Sequence, residues 1–177
     1  TSSSGPSFLA EDDFGKGQHW DVHGPWRMPG DNPALAEAYW KQDDALFRSE
    51  TGHPGASDVA LLKKYHGDLV QGSISLDNPL WRLTPWWLEA KQYQETFGAE
   101  PSDLEHYVAW SQYNQTQALT IAARACLSRF PEVGGFLIWM GHDAWPCAAN
   151  TAIIDFDGNP KPAYHALKAI FAAQSDF

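Results

Sequence analysis

The apolar and polar positions of this 177-residue chain alternate between short strand-like runs and longer helix-like stripes. Asn32, followed by Pro33 at a first helical position, predicts a helix over residues 32–44. Ser57 predicts the N-cap of a second helix, which ends at Gly67. Each of these helices follows or precedes a strand-like run, which is typical of folds in which strands and helices alternate.

The longest helical pattern begins at Ser102, which has capping-box spacing to Glu105, and its apolar stripe continues to residue 130. Pro131 ends this predicted helix. The Trp-rich segment before it, residues 78–101, is interpreted as a loop. A turn and a terminal helix close the chain.

Four segments predict strands, at residues 2–7, 19–22, 46–49 and 135–140. The last is continuously apolar between glycines, which indicates a strand buried on both faces under helices. The order of strands and helices predicts an α/β fold with a parallel sheet. In such folds the functional groups lie at the carboxyl ends of the strands.

Composition and charge narrow the range of functions that this chain could have. The chain has 12 Lys and Arg against 22 Asp and Glu, a formal net charge of -10, and no basic stripe, so a nucleic-acid partner is not expected. No apolar run has the length of a membrane helix, and no Cys/His cluster or HExxH motif predicts a metal.

Nine Trp residues suit a large core, with two or three assigned to sugar-binding platforms. Cys126 and Cys147 are either free or paired with each other.

Glu50 lies where a predicted strand meets a loop that begins Thr51-Gly52. The local pattern leaves two interpretations open. Glu50 is either a functional carboxylate at the carboxyl end of its strand, or a structural one, solvated in the loop or paired with Arg48.

Four segments carry a family resemblance, in this order along the chain: "QHWDVHG", "FRSETG", "GGFLIWMGHDAWP" and "IIDFDGNPKPAYHALKAIF". They resemble the last strands of the catalytic barrel of glycoside hydrolase family 2, nearest to its β-mannosidase and exo-β-glucosaminidase branches. The resemblance covers nearly the whole chain. It implies an α/β fold of the (β/α)8 TIM-barrel type, in which residues 1–177 form the C-terminal half of the catalytic domain, strands five to eight with their helices.

The resemblance implies a role for Glu50 as the catalytic nucleophile. It also implies six substrate-binding residues: Trp139, Trp20, His19, His23, Asp143 and Trp145. Among these, Trp139 takes the place of an aromatic platform after the last strand, and Asp143 belongs to an Asp-x-Trp-Pro element that shapes the pocket. His53 is interpreted as a loop residue.

The implied activity is hydrolysis of a β-glycosidic bond with retention, through a covalent glycosyl-enzyme and without cofactor or metal. The family's acid/base Glu follows an Asn at the end of the fourth strand, and no Asn-Glu pair occurs in this sequence. The expected partners are therefore a β-linked glycan and the N-terminal part of the same barrel, which would carry the acid/base. If this chain acted alone, Asp21, Glu11 and Asp143 would be the candidates. The resemblance also implies a secreted or periplasmic protein.

The sugar is left open, because Met140, Gly141 and His142 stand where β-mannosidases usually have Gln, Leu and Asn. Two other functions are compatible with the same residues. The Trp-rich loops could bind a glycan without cleaving it, or the chain could be a scaffold fragment of a degenerate barrel. A second carboxylate facing Glu50 would distinguish catalysis from both.

Overall fold

The computed structural model describes residues 21–173. The strands are β1 (Asp21–His23), β2 (Phe47–Thr51), β3 (Gly55–Ala56), β4 (Gly135–Ile138) and β5 (Ala149–Asn150). The α-helices are α1 (Pro33–Gln42), α2 (Val59–His66), α3 (Pro79–Arg82), α4 (Ala90–Phe97), α5 (Leu104–Ser128) and α6 (Pro162–Ala172). Short 3-10 turns occupy Pro29–Asp31, Gly67–Gln71 and Pro85–Trp87. The predicted strand at residues 2–7 lies outside the described residues.

Three strands form a parallel sheet in the order β1-β2-β4. Helix α1 connects β1 to β2, and α2 to α5 lie between β2 and β4. This arrangement confirms the predicted parallel α/β fold for the described part of the chain, and the eight-stranded barrel stays a prediction. A two-stranded antiparallel pair, β3 with β5, joins the loops that follow β2 and β4.

The long helix α5 is the centre of the helical layer. Its Ala122 packs with Trp40 of α1, and its Ala123 packs with Ala163 and Leu167 of α6. Alanine at these positions allows the two neighbouring helices to approach α5 closely, and burial of the apolar side chains stabilises the layer by about 25 cal/mol per Å². No helix within residues 21–173 combines the length and apolarity needed to cross a membrane.

The N-caps of two helices differ from the predicted ones by one residue. Helix α2 is preceded by Asp58 rather than Ser57, whose hydroxyl donates to the carbonyl of Cys147 at 2.8 Å. Helix α5 is capped by Asp103, whose side chain accepts a hydrogen bond from the backbone N–H three residues later, rather than by Ser102. Asp103 caps α5 with its side chain, whereas the side chain of Asp58 makes no cap hydrogen bond in α2 and accepts from Nε2 of Gln112 at 2.7 Å instead.

The Trp-rich segment at residues 78–101 is not a loop, and the prediction was wrong there. The side chain of Asn78 accepts a backbone hydrogen bond at the start of α3. Trp81 is buried, with its ring edge-on to Tyr107 at 5.4 Å. Helix α4 follows and ends at Gly98, which has a left-handed φ of 70°. The segment therefore forms part of the core.

Strand β4 is not buried on both faces, which corrects a second prediction. Phe136 and Ile138 pack against the helices, whereas Leu137 is 52% exposed. The neighbouring strands have the same covered face, because Val22 of β1 and Arg48 of β2 are fully buried. The described sheet thus has one face under helices and one open face.

The two cysteines are free and buried, so they are not paired with each other. Burial raises the pKa of the Cys126 thiol to about 12, and the negative charge of Asp43 adds to the shift. Burial likewise raises the pKa of Cys147 to about 12, with Asp143 contributing. Cys126 packs as a small apolar group of the core, between α1 and α5.

Candidate active site

The carboxyl ends of the three parallel strands meet at one edge of the sheet. His23 of β1 is the Cα partner of Glu50 in β2, and the backbone N–H of Gly24 donates to the carbonyl of Glu50. The backbone N–H of Trp139, directly after β4, donates to the carbonyl of Thr51 at 2.9 Å. Three of the predicted site residues, His23, Glu50 and Trp139, are therefore brought together from three strands.

Strand β2 contains one more residue than either neighbour at this edge. Where β1 advances by two residues, from Asp21 to His23, β2 advances by three, from Phe47 to Glu50. The pairing of β2 with β4 shifts in the same segment. Because one extra residue reverses the alternation of side chains, Arg48 is buried under the helices although it lies only two positions before the partly exposed Glu50.

The side chains of Glu50 and His23 lie close together on the open side of the sheet. Nδ1 of His23 is 3.7 Å from Oε2 of Glu50, and the two side chains are 24% and 29% exposed, in that order. A carboxylate in this position is accessible to a ligand and can act as a nucleophile. Beside them, the hydroxyl of Ser49 donates to Asp21 at 2.6 Å.

Arg48 does not pair with Glu50, which removes one structural interpretation of that carboxylate. Its guanidinium binds both oxygens of Asp43, with Nε 3.3 Å from Oδ2, and donates to the carbonyl of Gly24 at 2.7 Å. It also lies over the ring of Trp40, 4.8 Å from the centroid. Burial is the largest single influence on Arg48 and lowers its pKa, but the charge and hydrogen bonds of Asp43, together with Tyr39, outweigh it and the pKa is raised. This buried pair holds β2 from beneath.

Two exposed Trp side chains follow β4. Trp139 is 42% exposed and Trp145 is 39% exposed, so both can present an indole face to a ligand. The position of Trp139 depends on Gly52, because a Cβ atom there would lie 2.2 Å from the carbonyl oxygen of Trp139. The loop after β2 therefore supports the backbone of the Trp139 platform.

Asp143 lies beneath the loop after β4 rather than on its open side. It is fully buried, and its Oδ1 accepts hydrogen bonds from Sγ of Cys147 at 3.2 Å and Nδ2 of Asn150 at 3.0 Å. Its Oδ2 is 3.8 Å from Nζ of Lys161, which donates to the carbonyl of Gly55 at 2.8 Å. Burial lowers the pKa of Lys161. These contacts let Asp143 shape the loop from below.

His53 is a loop residue, as predicted, but it is buried and forms contacts that the sequence does not reveal. Its Nδ1 accepts from the backbone N–H of Met28 at 2.8 Å. Its Nε2 lies 3.2 Å from Oε1 of Glu89, and Nη1 of Arg27 lies 3.7 Å from the same oxygen. Glu89 comes from the Trp-rich segment, so no spacing signal links it to His53. The only local signal is a His between Gly-Pro residues directly after a strand.

Gln115 of α5 ties the loops after β2 and β4 together. Its Nε2 donates to the carbonyls of His53 at 2.9 Å, Ala152 at 3.1 Å and Thr151 at 3.3 Å. Gly55 allows this contact, because a Cβ atom there would lie 2.4 Å from Oε1 of Gln115. Gln115 lies within the predicted long helix, but no sequence signal indicates these contacts.

Comparisons with known proteins find similarity to two β-mannosidases. No family model matches the chain. Over 72 residues, 39% of the chain, it is 32% identical to Beta-mannosidase B of Aspergillus niger, of which the match covers 8%. Its fold is similar to the crystal structure of a β-D-mannosidase from Dictyoglomus thermophilum, with a TM-score of 0.67 and 22% identity over 85% of this chain and 18% of that one. The chain thus spans less than a fifth of either protein, and shares an α/β fold with part of a β-mannosidase.

The remaining predicted residues have no described position. His19, Trp20 and Glu11 lie outside residues 21–173. Within that range, no group of three or more His, Cys, Asp or Glu side chains is arranged to hold a metal ion.

Proposed function

We propose that this chain supplies the nucleophile of a retaining β-glycosidase of the β-mannosidase type. The observation that carries the proposal is the position of Glu50, which is partly exposed at the carboxyl end of β2, on the open side of a parallel sheet. Catalytic groups of barrel enzymes come from this end of several strands. The fold shared with part of a β-mannosidase and the nearby Trp139 support the same activity.

In the proposed reaction, the carboxylate of Glu50 attacks the anomeric carbon and forms a glycosyl ester. The bond to the leaving oxygen breaks as the acid/base residue gives that oxygen its proton. The same residue, now a base, takes a proton from water, which attacks the ester and frees Glu50. Retention requires the two carboxyl groups to lie roughly 5–5.5 Å apart.

His23 and Trp139 have separate roles in this proposal. Nδ1 of His23 is 3.7 Å from Oε2 of Glu50, and it orients the carboxylate by closing to hydrogen-bond distance when a ligand binds. Trp139 offers its exposed indole face to the apolar C–H face of the sugar. Trp145 extends this aromatic surface after β4, and the buried Asp143 shapes the loop that carries it.

We propose that the acid/base residue lies outside the described part of the chain, at the end of a fourth barrel strand. Asp143 is fully buried, and Glu11 has no described position, so Asp21 is the alternative on the described strands. Asp21 accepts a hydrogen bond from Ser49 next to Glu50. Residues 1–177 expressed alone are accordingly expected to give no turnover of an aryl β-mannoside.

The direct test is covalent labelling of the intact protein that carries these residues. An activated 2-deoxy-2-fluoro-β-mannoside should form a stable ester, and peptide mapping by mass spectrometry should place the added mass on Glu50. Glu50→Gln should abolish labelling, because an amide is a poor nucleophile. Glu132→Gln is the matched control, since Glu132 is an exposed carboxylate that precedes the amino end of β4, opposite the carboxyl end at which Trp139 lies. Labelling that persists in Glu50→Gln would show that another residue is the nucleophile.

A binding function without turnover is the second candidate, and the exposure of Trp139 and Trp145 favours it. It predicts that the intact protein binds methyl β-mannoside and shows neither turnover nor labelling. In that case Trp139→Ala should weaken binding while Glu50→Gln leaves it unchanged.

A further inference from the structure

A separate cleft of about 600 Å³ opens beside the candidate active site. It lies between the loop that follows β2, the start of α1, helix α4 and the first half of α5. Its size is in the range of small-molecule binding sites. His53 and Glu89 form part of its floor, and Phe97, Trp110 and Tyr113 contribute aromatic side chains.

The floor of this cleft contains a polar atom without a hydrogen-bond partner. His53 is 2% exposed, and its Nδ1 accepts from Met28, so the ring hydrogen is on Nε2. Oε1 of Glu89 lies 3.2 Å away, but Nε2 has no partner with hydrogen-bond geometry. A buried donor left unpaired is costly, and a ligand oxygen in the cleft would satisfy it.

The charges around the cleft favour a neutral ligand. Arg27 lies 3.7 Å from the carboxylate of Glu89, and Lys91 lies 3.4 Å from the carboxylate of Glu95. Two of the carboxylates that line the cleft thus have cationic neighbours. A cationic ligand would have to compete with these side chains, whereas a hydroxyl can donate to a carboxylate oxygen without displacing them.

The walls combine aromatic faces with polar groups. Tyr113 is 59% exposed and Phe97 is also exposed, so their rings are accessible at the rim of the cleft. Gln92 and Asn114 line the same space and can both donate and accept hydrogen bonds. A ligand that matches these walls has apolar C–H faces and several hydroxyl groups, which is the chemistry of a sugar ring.

We propose that this cleft binds one neutral sugar unit, at a site distinct from the one at Glu50. His53 follows Glu50 by three residues, so their Cα atoms are at most about 11 Å apart. A glycan longer than a monosaccharide could therefore occupy both places. The inference depends on the cleft and its unpartnered donor, and it holds whether or not Glu50 is a nucleophile.

The test is equilibrium binding of methyl β-mannoside to the intact protein in a Glu50→Gln background, in which no hydrolysis can occur. Tyr113→Ala should weaken one binding event by about tenfold, as loss of a contact residue in a site typically does. Trp139→Ala should leave that event unchanged. Phe130→Ala is the matched control, because Phe130 is an equally exposed aromatic residue about 25 Å further along the direction of α5.

A second variant examines the buried donor. In His53→Asn, the amide oxygen can still accept from Met28, but the Nε2 donor into the cleft is lost. Binding should weaken by about tenfold, measured at a temperature where the variant is folded, because the smaller side chain leaves space beside the buried Glu89 and lowers the melting temperature. The proposal is overturned if Tyr113→Ala binds like the parent, if Phe130→Ala loses as much, or if methylammonium displaces the probe. Failure of labelling at Glu50 would leave these results unaffected and so refute only the proposed nucleophile.

Discussion

Nδ1 of His23 lies 3.7 Å from Oε2 of Glu50, across two neighbouring parallel strands whose Cα atoms are paired at this position. The distance is longer than a hydrogen bond, so the imidazole lies near the carboxylate without fixing its orientation. A group placed in this way can shorten its contact when a ligand binds, since catalytic contacts often tighten only in the complex. The pair is therefore the part of the candidate site whose geometry we expect to change on binding.

Replacing His23 with Ala should lower kcat/KM for an aryl β-mannoside by about tenfold, corresponding to about 1.4 kcal/mol of transition-state stabilisation. The effect should fall mainly on kcat, because the imidazole acts through Glu50. The measurement is steady-state kinetics of the intact protein. His165→Ala serves as control, since His165 is exposed on α6. Equal kinetics for His23→Ala and its parent would exclude a positioning role.

Arg48→Met should destabilise the fold by about 3 kcal/mol, because it leaves the carboxylate of Asp43 buried without its main partner. Arg129, 3.0 Å from the same carboxylate, keeps the cost at the lower end of the range for broken buried pairs. Urea unfolding measures the change. Lys63→Met removes an exposed pair with Glu105 and should cost less than about 1 kcal/mol. Similar losses of unfolding free energy in both variants would mean that the buried pair contributes no more to stability than the exposed one.

Gly52→Ala should displace the Trp139 platform, because the new Cβ would lie 2.2 Å from the carbonyl oxygen of Trp139. We expect a stability loss of about 1–3 kcal/mol, with weaker sugar binding at the strand ends. Gly141→Ala is the matched variant, since no atom lies within 4 Å of the Cβ position there. Thermal unfolding and methyl β-mannoside binding should separate the two. If Gly52→Ala bound methyl β-mannoside as the parent does, the close contact between residue 52 and the carbonyl of Trp139 would not control the position of Trp139.

Cys126 should make the fold less stable as the pH rises from about 9 to about 12. Its folded pKa is about 12 against a usual value of 9.0, so above pH 9 the unfolded state loses a proton that the folded state retains. Stability is then complete below pH 9 and falls by about 1.4 kcal/mol per pH unit within this window. Cys126→Ala should reduce the slope by this amount and leave the share of Cys147, whose pKa is raised in the same way, as measured by urea unfolding at several pH values. Parallel curves for parent and variant would show that the thiol does not titrate in this way.

The architecture could be predicted wherever one local signal decided the structure. Asn32 caps α1 with Pro33 at its first position, as the pattern indicated, and the apolar run at residues 135–138 is a parallel strand. The Trp-rich segment was misread although it contains the same Asn-Pro signal at Asn78. No local signal marks Trp81 as a core residue of a helix, because its burial depends on Tyr107 of α5.

Only the part of the candidate site that lies at the carboxyl ends of the strands could be predicted from the sequence. The resemblance and the strand pattern together named Glu50 and Trp139, and both lie at the edge where β2 and β4 end. The contacts between His53 and Glu89, and those of Gln115, depend on residues brought together from distant segments. No periodicity or spacing encodes such pairs, because they are set by how α4 and α5 pack on the loops.

The extra residue in β2 has a consequence for how this segment can vary. Because it reverses the alternation between Arg48 and Glu50, the side on which the carboxylate emerges depends on the number of residues and not only on their identity. The same residues in a strand without the irregularity would turn Glu50 toward the helices, to the face of Arg48, whereas deletion of Ser49 would leave Glu50 two positions after Phe47 and on the open side. Among natural variants of this segment, one that kept every residue but paired regularly with both neighbouring strands would therefore keep the recognisable motif and lose its chemistry.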